Sequence, residues 1–300
     1  MNKLRSLLQN KRTLGLILVV VIGLTGGFLG YNKFLASKNS GSIEEVDLSF
    51  DAEGPYALLV PRRDGNALIL NLKRTSSYDS ISYELAYVAA PDNVTPSGAK
   101  KAATDDGDEA SVGSIDRGVV GEIDTKQKKG EYQKEILFGT CSKNVCKYDK
   151  GVENGTLTLH IRKGNKAYRM VTQWHLQQPD IALGTLESGD GHFKYQLPNN
   201  RTELSVIGFT IINDVTGVPK LPDGKVVFGK VYALNLPDAK ELMVGDVILE
   251  LAENPPADSK LARFDESKNE WEEMDTKIEG SKLSAKGNGQ GIFAVLTPKK

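Results

Sequence analysis

The chain has 300 residues, with 38 basic and 39 acidic side chains and a formal net charge of −1. That balance excludes a nucleic-acid binder, which carries a basic surplus. Apolar residues make up 39% and charged residues 26%, the range of an ordinary folding chain, and at about 150 residues per domain the length allows roughly two domains. Two cysteines exclude a disulfide-stapled miniprotein and a four-Cys zinc site within the chain.

Residues 1–13 form a basic tail with Lys3, Arg5, Lys11 and Arg12 and no acid. Leu14 to Gly30 then runs without a charge, roughly 26 Å as a helix, enough to cross a thin hydrocarbon core. The cations before this span predict a single transmembrane helix over 14–31, with the N-terminus cytoplasmic and the rest outside. A cleaved signal peptide is the alternative. The nearest small-x-small site, Phe34-Leu35-Ala36, carries a bulky Phe at the first small position. Gly23/Gly27 and Gly26/Gly30 are spaced to let two such helices approach closely. Residues 32–45 read as a polar linker.

Beyond the linker the chain alternates with period two. Strands are predicted at Tyr56–Pro61, Ala67–Leu72, around Ile81–Tyr87, at Val119–Ile123 and at Glu135–Phe138. Further strands follow at Phe193–Leu197, Leu204–Ile212, Val226–Leu234, Asp246–Leu251 and Ile292–Leu296. Pro91 to Arg117 holds few large apolar groups and the acids Asp105, Asp106, Asp108 and Glu109, and reads as a long loop, disordered or functional. Within it, Ser97-Gly98-Ala99-Lys100 matches Ser-x-x-Lys but lacks the supporting motifs of an acylating enzyme.

Cys141 and Cys146 are predicted to close a small loop as a disulfide, the natural state outside the cytoplasm. Thr140-Cys141 resembles the nucleophile position of a sortase in that pair alone, and no His precedes residue 160 to act as its base. The sharpest pairing is a hairpin of Thr156–Arg162 with Tyr168–Leu176, turning at Gly164-Asn165. Its register sets Leu159 against Met170 and puts Leu157, Ile161, Trp174 and Leu176 on the same buried face. His175 then lies opposite about position 154, roughly 20 Å along the strands from His160, so the two cannot share a metal.

Pro179 ends this pairing, and the predicted fold is mainly β, with two antiparallel, immunoglobulin-like β-sandwich domains over 46–179 and 180–300. Trp174 is expected to be buried in the first and Trp271 in the second. Gly287, Gly289 and Gly291 form a G-x-G-x-G run with no helix after it, which reads as a turn. In the last forty residues Phe264, Asp265, Trp271, Gly291, Phe293 and Ala294 form a pattern that resembles the closing strands of membrane-anchored extracytoplasmic β-sandwich proteins of bacteria. The resemblance implies architecture and no activity.

No nucleophile has a visible base, and no catalytic, cofactor or metal residue is assigned. The expectation is a non-enzymatic cell-envelope protein displaying β-domains for adhesion, assembly or ligand binding. Its partners would be the membrane, through 14–31, and an envelope protein or glycan. Its contact regions would be the loop at 91–117 and the tip at 141–146. The alternative is an envelope enzyme whose catalytic carboxylates converge only in the fold, of a glycosidase-like kind with acids about 5–10 Å apart in a cleft.

Overall fold

The computed structural model describes residues 44–91, 114–126, 130–143, 145–178, 184–198, 208–237 and 242–299. The basic tail, the membrane helix expected at 14–31 and the linker up to residue 43 lie outside these residues, as do Ser97, Lys100 and the acidic run. No helix among the described residues is long and apolar enough to cross a membrane.

The fold is mainly β and its strands, numbered in chain order, fall into four sheets. The largest holds β1 (Glu45–Asp47), β4 (Ser80–Ala89), β5 (Ile115–Ile123), β9 (Asn154–Lys163), β10 (Lys166–Gln177), β13 (Thr210–Asp214), β14 (Lys225–Asn235), β16 (Lys260–Asp265), β17 (Glu270–Glu273) and β20 (Gly291–Pro298). A three-stranded sheet holds β2 (Tyr56–Pro61), β3 (Ala67–Lys73) and β6 (Tyr132–Leu137), and a two-stranded ribbon joins β7 (Gly139–Ser142) to β8 (Val145–Tyr148). The five-stranded sheet is built from β11 (Thr185–Glu187), β12 (Phe193–Gln196), β15 (Gly245–Glu250), β18 (Thr276–Glu279) and β19 (Lys282–Gly287).

The β9–β10 hairpin has the register that burial requires, with Lys163 opposite Lys166 and Leu159 opposite Met170. Leu157, Leu159, Ile161, Met170, Trp174 and Leu176 are all buried in one core with the inward residues of β3 and β4. A slip of one residue would turn that whole set to water.

The division into two immunoglobulin-like sandwiches at Pro179 is not the arrangement observed. Residue 179 lies outside the described residues, but β10 on one side of it pairs directly with β13 on the other, His175 opposite Ile212. One sheet, in the order β17-β16-β20-β14-β13-β10-β9-β4-β5, therefore runs through both halves. Its two ends are covered on different faces. Ile211 faces the core under the three-stranded sheet, while the next residue, Ile212, faces the core under the five-stranded sheet. Both halves thus have a core of their own and share the layer between them.

Strand β2 closes the seam. Ala57 and Leu59 point into the first core, and Tyr56 and Leu58 point into a third cluster with Val231, Ala233, Ile292 and Ala294. Alternation along a single strand thereby ties the first half of the chain to the sheet of the second. Trp174 is buried as expected, stacked on Phe138. Trp271 is only half-buried, because β17 is an edge strand, where it leans on Phe264 and donates through Nε1 to the Lys220 carbonyl.

Candidate functional site

Cys141 and Cys146 stand opposite each other in the β7–β8 ribbon and are joined by a disulfide, with Cα atoms 4.0 Å apart. The described residues of the ribbon are largely exposed, and both cysteines are taken up by the bridge. Of the long loop expected at 91–117, residues 92–113 lie outside the described residues, but Ile115, Asp116 and Arg117 belong to β5, opposite Ala89, Val88 and Tyr87. His175 lies opposite Asn154 and His160 opposite Arg169, so the two stay about 20 Å apart. His160 Nδ1 is 2.9 Å from Glu45 and His175 Nδ1 is 2.7 Å from Asn154. Burial lowers the His175 pKa against the pull of Glu153 and Glu187.

Polar groups come together at two of the cavities among the described residues. The first is an acid pair at the hairpin turn of β11 and β12. Asp190 accepts from the Ser188 hydroxyl at 2.6 Å and the His192 N–H at 3.2 Å through Oδ1, and from Tyr232 at 2.8 Å and Lys230 at 3.0 Å through Oδ2. Burial alone would raise its pKa, but these four donors together hold it down, at about 2. Asp214, on β13 opposite Tyr232, accepts the Gln173 N–H and lies 4.0 Å from Lys230. Burial dominates there, over the Gln173 bond and Lys230, and pushes its carboxyl up to about 6. Their shared contact with Lys230 puts the two carboxylates within about 7 Å of each other. Asp214, Lys230, Tyr232 and His192 border a cavity of about 460 Å³.

The second is a cleft of about 690 Å³ at the seam, on the outward face of the three-stranded sheet. Leu58, Asn71 and Gln133 stand in one cross-strand row and Val60 and Ile69 in the next. Facing them are the turn after β16, Asp265 to Lys268, and the Asn288–Gln290 turn before β20. Asn235 and Leu236, at the end of β14, close the cleft between these walls.

Four charges at this cleft pair with one another, and Glu266 lines it as a further acid. Arg263, 7% exposed, donates through Nη2 to Asp265 at 2.9 Å and Glu272 at 2.8 Å, and through Nη1 to the Gln290 carbonyl at 3.2 Å. Lys268 reaches Glu272 at 2.5 Å and Asp265 at 3.7 Å. Glu266 is pushed upward, first by burial and then by Glu131 and Asp265, against Lys73. Gly289 has φ +82° and a Cβ built on it would lie 2.5 Å from Arg263 Nη1, so the glycine run is the turn that lets the guanidinium through. Asn235 is 8% exposed and its Nδ2 has no hydrogen-bond partner.

Comparison of the chain with protein-family models, with curated proteins and with solved structures finds no match. The cleft escapes sequence reading because its lining comes from β2, β3, β6, β14 and two distant turns. The sequence signals near it are the run Gly287, Gly289 and Gly291, which marks a turn, and Asp265 of the closing-strand pattern, and neither marks the cleft's other walls.

Proposed function

We propose that the protein is a non-enzymatic envelope protein, held in the membrane by residues 14–31, that displays the body from Glu45 onward as a ligand-binding module outside the cytoplasm. The observation that carries the binding reading is the seam cleft: concave, lined by polar side chains, with Arg263 and Lys268 paired to acids within its own wall. The basic tail before an uncharged span and the oxidised Cys141–Cys146 pair support the placement. Protease added to intact cells is expected to digest the protein from its C-terminal side, and thiol reagents are expected to label it only after reduction. A body protected from protease, with both cysteines labelled at once, rejects the placement.

A second reading rests on Asp190 and Asp214. Two acids within about 7 Å, one ionised and one titrating near 6, have the spacing and split of a glycosidase pair. Against it, both Asp190 oxygens are already occupied by four donors, so this carboxylate has no lone pair directed at a substrate. Hydrolysis of aryl glycosides that is lost in both Asp190→Asn and Asp214→Asn would reinstate it.

A further inference from the structure

We infer that the seam cleft binds a neutral, hydroxyl-rich ligand, an oligosaccharide without charged substituents, and that the Asn235 amide is its buried donor. The inference rests on the reading of the protein as a displayed binding module and specifies the chemistry of that module's ligand.

The argument begins with Asn235. Its Nδ2 is buried and has no partner, and the residue lines the cleft, so a turn of the side chain would present the amide to it. A buried donor left unpaired costs about 1–3 kcal/mol, and folded proteins keep few of them. An acceptor entering the cleft would remove that cost, so binding gains a bond that the empty protein does not have.

Charge then selects the acceptor. Arg263 and Lys268 are matched by Asp265 and Glu272 within the wall itself, and a second anion would have to displace an existing partner. What remains around the rim are the carboxamides of Asn71, Gln133 and Asn288 and the Glu266 carboxyl, which adds to the case against an anion. A carboxamide both donates and accepts, as a sugar hydroxyl does, and neither group brings a charge to be desolvated. Val60 and Ile69, both half-buried, supply apolar surface for the C–H faces of a ring.

A peptide is less well served. Peptides gain much of their affinity by adding a strand to an open edge. Here the wall is a sheet face, and the edge of β2 beside it is already occupied by the Asn213 side chain, which bonds Ala57 and Leu59. The cleft's volume lies within the usual range for small-ligand sites, about 300–1,000 Å³.

The test uses the full-length protein in lipid nanodiscs, since sugar-based detergents would compete. It is passed over immobilised neutral oligosaccharides, sialylated and sulfated ones, and an extended-peptide library. Binding to neutral oligosaccharides is expected, unchanged between low and high salt. Asn235→Leu is expected to lower affinity about tenfold while leaving Tm unchanged or higher, since it removes an unsatisfied donor. Gln133→Ala, at the exposed rim, is expected to weaken binding without touching the core. The inference is overturned if no neutral oligosaccharide binds, if only anionic glycans or peptides bind, or if Asn235→Leu binds as the parent does. Display is decided separately by protease on intact cells. A protein that is digested yet binds no neutral sugar loses this inference alone, and one that binds but is never reached by protease loses the membrane placement alone.

Discussion

Asn213 and Ala57 are 156 residues apart in the chain, and the Asn213 side chain donates from Nδ2 to the Ala57 carbonyl at 3.0 Å. The same side chain accepts the Leu59 N–H at 3.4 Å. A carboxamide thus does for the free edge of β2 what a neighbouring strand would do, and it does so where both halves of the fold meet. Replacement by Ala leaves a buried carbonyl and a buried N–H unpaired. Asn213→Ala is expected to cost about 2–4 kcal/mol in urea unfolding, whereas Asn71→Ala, at a half-buried cleft position, is expected to cost under about 1 kcal/mol.

Asp214 makes stability depend on pH in the less common direction. A carboxyl that titrates near 6 when folded and near its ordinary value when unfolded binds its proton more tightly in the native state. Its contribution is therefore favourable at low pH and is lost as pH rises through roughly 4 to 6, a loss on the order of 3 kcal/mol. Asp214→Asn keeps an acceptor for the Gln173 N–H and removes the titration. It is expected to raise Tm by about 5 °C at pH 8 and to leave it unchanged near pH 4. Thermal scans across that range decide it.

Asp190 works with the opposite sign. Its carboxyl is held at about 2 in the folded protein, so its contribution is present at neutral pH and lost as pH falls through about 4 towards 2. Asp190→Asn is expected to destabilise the protein by about 1–2 kcal/mol at pH 7, solvent screening at the turn limiting the effect. The difference should vanish at pH 2, and parallel acid titrations of the two proteins followed by circular dichroism measure it.

The glycines of two turns separate backbone conformation from contact. Gly224 has φ +74° with open space around its Cβ position, and Gly289 has φ +82° against Arg263. Gly224→Ala is expected to cost only the conformational penalty of about 1 kcal/mol. Gly289→Ala should cost about 2–3 kcal/mol, since Arg263 must move from its acids, and it should also disturb the seam cleft. Chemical denaturation of both variants gives the comparison.

Reduction of Cys141–Cys146 is expected to be a local event. The bridge closes a ring of a few residues in an exposed ribbon, for which the chain-entropy estimate is about 2 kcal/mol. Hydrogen exchange should speed up along β7 and β8 while Leu159, Met170 and Trp174 keep their protection. Loss of protection in that core on reduction contradicts this.

The legible part of the fold was the part governed by burial at short range. Strands β2, β3, β4, β14, β15 and β20 stand within a few residues of their predicted positions because each alternates or runs apolar against a core. Strands β17, β18 and β19 were missed as separate elements. They are short and largely polar, as in Glu270–Glu273, and owe their conformation to pairing with β16 and β15. The shared sheet was hidden for a related reason: Pro179 reads as a boundary, and nothing local announces that Leu176 will meet Ile211. The disulfide was legible from the close spacing of Cys141 and Cys146 together with the expected placement outside the cytoplasm. The seam cleft was not, because Asn71, Gln133 and Asn235 carry no mutual spacing and become neighbours only through β2 crossing the large sheet.

The side chain that closes β2 also imposes an order on the chain's emergence. A ribosome delivers residues 45–178 first, and at that stage Ala57 and Leu59 on β2 lack the Asn213 side chain and the Trp174–Gln177 stretch of β10 lacks β13, while β1 already covers β10 at Ala167–Arg169. The first half therefore cannot be finished before the second is made. Translation stopped short of residue 213 leaves two open strand stretches of the kind that seed aggregation.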